Sequence, residues 1–70
     1  MKPTKELIDE YRSKYQAEIQ RINSSDDYSP ALNDDDLKLA MEHLDDKSIA
    51  FYLEHGVPAE SVANTYMYYN

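Results

Sequence analysis

The apolar residues Leu7, Ile8, Tyr11, Tyr15, Ile19 and Ile22 recur at spacings of three and four, the period of an amphipathic helix and not the alternation of a strand. A helix from about Thr4 to about Ile22 follows, with Thr4 as its N-cap and Glu10 and Lys14 as an i,i+4 pair in the favourable order. In a chain of 70 residues that commitment leaves only short segments, and each of them also carries helix signals. The stretch "NSSDDYSP" collects turn formers around Pro30 and reads as the one substantial loop.

Asn33 followed by Asp34, Asp35 and Asp36 is a helix start, because a capping side chain and first-turn carboxylates satisfy free N–H groups and oppose the positive end of the helix dipole. Leu37, Ala40, Met41 and Leu44 then form an inward face that ends near "DDKS". Asp45 or Asp46 caps a third helix carrying Ile49, Phe51, Tyr52 and Leu53, which Gly56 ends. Pro58 suits the first turn of a fourth helix, on which Val62, Tyr66 and Tyr69 share a face. The expectation is an all-α fold, a small bundle of about four short helices in a single domain over residues 1–70. Its expected core is Leu7, Tyr11, Tyr15, Ile19, Leu37, Met41, Leu44, Ile49, Leu53 and Val62.

So small a core supplies only about 3 to 5 kcal/mol, and small domains usually add disulfides, a metal or self-association. With no cysteine and no paired Cys/His constellation, packed helices or a second copy must do that work. No apolar run follows the lysines of "MKPTKELIDEYRSKYQ", and no stretch approaches the roughly 20 apolar residues of a membrane span. A cytoplasmic protein without membrane contact is the expectation.

The net charge of −7 is unevenly placed. Through Ile22, Glu6, Asp9, Glu10 and Glu18 are balanced by Lys2, Lys5, Arg12, Lys14 and Arg21, whereas from Asn23 onward ten acids face only Lys38 and Lys47. Such a surface repels phosphates and anionic lipid and attracts basic protein surfaces.

The aspartates do not have calcium-loop spacing, which requires acids at alternate positions, a glycine at the sixth and a terminal Glu. His43 and Asp46, one turn apart, are too few ligands for a metal site, and His43 reads as a surface histidine. Ser48, Ser61, His43 and His55 occur without a nucleophile elbow, phosphate loop or dinucleotide fingerprint. Neither an enzyme, a metal site nor a cofactor is expected. Gly56 and Val62 meet the spacing of a helix–turn–helix over residues 48–69, yet Glu60, Ser61, Asn64 and Thr65 of the would-be recognition helix include no cation to neutralise phosphates.

Seven tyrosines, three of them in "TYMYYN", suit both the rim of a small core and a protein interface. With Tyr66 and Tyr69 inside, Met67 and Tyr68 point elsewhere, and Tyr68 becomes a docking residue. The run "NDDDLKLAMEHLDDKSIAFYL" followed by "GVPAESV" resembles the Hha/YmoA family of small helical proteins, which modulate transcription by binding a nucleoid protein. The resemblance covers the second half of the chain, and the first helix lacks the family's more basic character. It implies a helical fold and a nucleic-acid-binding protein as partner.

The expected function is that of a small acidic modulator or inhibitor docking on a basic surface of another protein, with DNA mimicry as one form. In that role Asp26, Asp27, Asp34, Asp35, Asp36, Asp45 and Asp46 stand in for phosphates. A transcription regulator using the helix–turn–helix-like corner, or a modulator bound to a nucleoid protein, is the alternative. A homodimer is compatible with the surplus aromatic surface.

Overall fold

The computed structural model describes residues 3–69. Four helices follow in order, α1 (Lys5–Asn23), α2 (Asp34–Glu42), α3 (Asp46–Glu54) and α4 (Ala59–Tyr69), with no strand among the described residues. The fold is all-α, as the apolar spacing predicts. No helix is long and apolar enough to cross a membrane among the described residues.

Local chemistry sets the helix boundaries. Thr4, Asn33 and Asp45 each sit in extended backbone ahead of a helix. Their side-chain oxygens accept from the N–H groups of Leu7 at 3.2 Å, Asp36 at 2.8 Å and Ser48 at 2.8 Å. Each bond satisfies a donor that has no partner within its helix. The end of α3 is closed by a paired motif in which the Val57 N–H donates to the Tyr52 carbonyl at 2.9 Å and the Gly56 N–H to the Leu53 carbonyl at 3.3 Å. That closure needs a left-handed residue, which Gly56 supplies at φ 67 without a Cβ penalty.

The long helix α1 is the spine. Tyr11, Tyr15, Ile19 and Ile22 on its inner face meet Ala40, Leu44, Ile49, Ala59, Ala63 and Met67 from the other three elements. Each short helix packs chiefly on α1, and α4 does so most extensively. Cross-helix polar bonds secure the arrangement where the core is thin. The Tyr11 hydroxyl donates to the Val57 carbonyl at 2.7 Å, and the Tyr15 hydroxyl donates to the Ala40 carbonyl at 2.8 Å. Arg12 reaches the corner between α2 and α3, donating to the Leu44 carbonyl at 3.2 Å and to Asp46 at 2.5 Å.

Two sequence expectations need correction. Leu37, Met41, Leu53 and Val62 pack only at the margin of the core, and Leu7 is half-buried along a surface hollow outside it. The face of α4 is also turned from the expected one. Ala59, Ala63 and Met67 point inward, Val62 and Tyr66 lie beside them, and Tyr69 is 82% exposed. Two alanines one turn apart let the backbone of α4 approach α1 closely, and the flexible Met67 fills the remaining gap.

Candidate docking face

The expected site aspartates fall into two groups at the opposite ends of α2. Asp26 and Asp27 lie in the turn after α1, and Asp34, Asp35 and Asp36 form the first turn of α2. These two runs are held at the same end of α1 by a clasp between Asn23 and Leu32. The Leu32 N–H donates to the Asn23 side-chain oxygen at 2.7 Å, and the Asn23 amide donates back to the Leu32 carbonyl at 3.5 Å. Both acidic runs lie within four residues of that clasp.

Asp45 and Asp46 stand apart, roughly 15 Å away by the rise of the intervening helical residues. Both have structural duties. Asp45 caps α3, and its bonds from Ser48 hold its carboxyl below the usual value. Asp46 is paired with Arg12.

Charge bookkeeping separates the groups further. The cations of α1 are largely occupied within the fold, as Arg12 pairs with Asp46 and Asp9, Lys14 with Glu10, and Arg21 with Glu18. Asp26, Asp27, Asp34, Asp35 and Asp36 are all exposed, and none has an ion-pair partner among the described residues. No group of three potential metal-ligating side chains converges among the described residues either.

Beside the first turn of α2 lies a hollow of about 340 Å³ lined by Tyr28, Leu32, Asp36, Leu39 and Tyr66. Tyr28 folds back over it and meets Tyr68 edge-on, ring centres 5.6 Å apart. Tyr68 is 49% exposed, so its ring adds aromatic surface beside Tyr28. Tyr28, Leu32, Leu39 and Tyr66 were not singled out by the sequence as site residues. Leu39 did carry a signal: it is an apolar residue off the Leu37, Ala40, Met41 and Leu44 stripe, and it is 62% exposed.

His43 is exposed, as expected of a surface histidine, and its ring is also a junction. Its ring stacks on Tyr66 with centroids 4.5 Å apart, and Nε2 lies 2.7 Å from the Tyr15 hydroxyl. A phenol has one proton, so a hydroxyl that donates to Ala40 accepts from Nε2–H of the histidine. Burial lowers the His43 pKa from its ordinary value. Burial first, then the neighbouring Tyr52 and Glu60, pushes Tyr11 up to about 12, and burial also raises Tyr15.

These shifts define a stability profile. A tyrosine whose folded pKa is raised favours folding fully below its ordinary value of 10.0, and this advantage is lost as pH rises through the folded value. A histidine with a lowered folded pKa acts at the other end: the unfolded chain binds more protons, so stability falls as pH drops below 6.5. Thermal melts followed by circular dichroism should therefore be flat between about pH 7 and pH 10 and decline on both sides. In His43→Gln the decline just below the histidine range should disappear; its persistence would show that another group sets it.

No family model matches the chain, and no curated protein or solved structure matches it significantly. The likeness to the Hha/YmoA family rests on the quoted residues alone.

Proposed function

We propose that the chain is a small acidic docking module that modulates another protein by occupying a basic surface on it. The observation that carries this reading is the division of charge. Arg12, Lys14 and Arg21 are paired within the fold, whereas the five aspartates at residues 26, 27 and 34–36 are exposed without ion-pair partners among the described residues and outnumber Lys38, the one cation on α2. Such a face steers a cationic partner and is expelled by phosphates and anionic lipid. Asp34, Asp35 and Asp36 then have two roles, starting α2 and facing the partner, while Asp45 and Asp46 serve mainly the α2–α3 corner.

The reading is non-enzymatic and needs no cofactor. His43 and Ser61 line a common hollow of about 260 Å³, but no hydrogen bond joins them among the described residues. The rival reading, a transcription regulator working through residues 48–69, is favoured by the left-handed Gly56 between α3 and α4. Against it, the exposed residues of α4 are Glu60, Ser61, Thr65, Tyr68 and Tyr69, without a cation.

The test is kinetic. The partner is captured from a lysate, released by rising salt and identified, and its association with the wild type and with the double variant Asp35→Asn, Asp36→Asn is followed. The variant should associate more slowly and with a flatter salt dependence, while dissociation changes little. It should lose only about 0.3 to 1 kcal/mol of stability per dipole interaction. An unchanged association rate would confine these aspartates to starting α2, and tight binding of duplex DNA by the wild type would favour the rival.

A further inference from the structure

We infer that the hollow between α2, α4 and the 24–33 loop is the anchor point of the docking face, taking an apolar side chain from a basic peptide segment of the partner. The inference rests on the basic-partner reading and adds what that surface must present: a large apolar residue flanked by Lys or Arg.

The first argument is the unpartnered wall. Leu39 is 62% exposed beside the half-buried Tyr28, Leu32 and Tyr66. An inserted side chain would remove this apolar surface from water. The hollow, at about 340 Å³, lies near the small end of the roughly 300 to 1,000 Å³ of ligand pockets, a size suited to protruding side chains.

The second argument is charge. Asp36 is itself part of the wall and is exposed, with Asp34 and Asp35 in the same helical turn. An apolar centre with a charged rim is the arrangement in which a few central contacts carry binding and the rim selects the partner. The acids exclude an acidic segment. They also oppose a second copy of this chain, since each copy carries −7 and would bring the same aspartates to the contact.

The third argument is preorganisation. Tyr28 is held against Tyr68, Leu32 is clasped to Asn23, and Tyr66 is stacked on His43. Walls already fixed lose little conformational freedom on binding. The other hollows lack this combination. The one of about 350 Å³ beside α1 also carries a net negative rim, from Glu10 and Glu60 against Lys14, but no exposed large apolar residue lines it. The one of about 260 Å³ has no carboxylate in its lining.

A phage-displayed library of random dodecapeptides, panned on the immobilised full chain at physiological salt, tests both levels. Enriched peptides should carry Leu, Ile, Met, Phe or Trp with Lys or Arg within a few positions. A synthetic peptide of the enriched sequence should bind the wild type at least about tenfold more tightly than Leu39→Ser, the loss expected when a buried leucine-sized contact is removed. Circular dichroism should show Leu39→Ser folded, because Leu39 lies outside the core. Enrichment of basic peptides without an apolar residue, or equal affinity for Leu39→Ser, would overturn the anchor and leave the basic-partner reading standing. Enrichment of acidic or uncharged peptides, or of none, would overturn both. A wild-type dimer in sedimentation that Leu39→Ser splits would assign the hollow to a second copy and overturn the inference.

Discussion

Replacing Ile19 with alanine should cost about 2 to 5 kcal/mol, the range for deleting a large buried aliphatic side chain. Ile19 sits in the C-terminal half of α1 with no exposed surface, facing the core to which α2, α3 and α4 all contribute. A cavity there removes contacts from several elements at once, and the short helices have little packing on one another with which to compensate. At roughly 0.05 to 0.15 kcal/mol per residue, a domain of this size has total stability of only about 4 to 10 kcal/mol. Urea denaturation should show a much lower midpoint with an unchanged slope. A loss below about 1 kcal/mol would mean that the site collapses around the smaller side chain and that α1 is not the rigid spine described. Leu44→Ala, at the buried corner between α2 and α3, should fall in the same range.

The second large effect is a contrast within α4. Met67→Ala should destabilise by about 2 to 5 kcal/mol, whereas Tyr69→Ala should change stability by no more than about 0.5 kcal/mol. Met67 is 5% exposed and Tyr69 82% exposed, so the two substitutions report directly on which face of the helix meets α1. The reverse order would restore the face expected from the sequence. Comparable losses for both would place α4 between the two orientations.

That contrast also shows where the sequence stops being legible. The stripe from Tyr11 to Ile22 is long and strictly spaced, and the caps at Thr4, Asn33 and Asp45 are local chemistry between neighbours; both are visible without a fold. In α4, two overlapping stripes exist, Val62–Tyr66–Tyr69 and Ala59–Ala63–Met67. Side-chain size favours the first, but close approach of two helix backbones favours the second, and only the mate on α1 decides between them. The tyrosines make the same point. Their abundance is readable, but that Tyr11 and Tyr15 are buried and donate to the carbonyls of Val57 and Ala40 depends on partners 46 and 25 residues away.

At the docking face, the acidic character of residues 26, 27 and 34–36 is plain in composition, and so is Leu39 as an apolar residue off its stripe. The union of the two is not. It depends on the Asn23–Leu32 clasp and on Tyr28 folding back to Tyr68, neither of which has a local signature. His43 lies at the surface as the sequence suggests, but its contacts are hidden from the sequence for a similar reason: Tyr15 and Tyr66 reach it from other helices.

The pairing of α1 with α4 joins elements from the two ends of the chain, with α2, α3 and the connecting segments strung between them. Bringing such ends together costs about 3 kcal/mol of chain entropy for a loop of this length, before any constant contribution, and this cost precedes the reward of the contacts. Kinetically the domain should therefore resemble a closed ring more than a run of local helical hairpins: its folding rate should follow the encounter of α1 with α4, and substitutions on α2 or α3 that leave that encounter untouched should act mainly on the rate of opening.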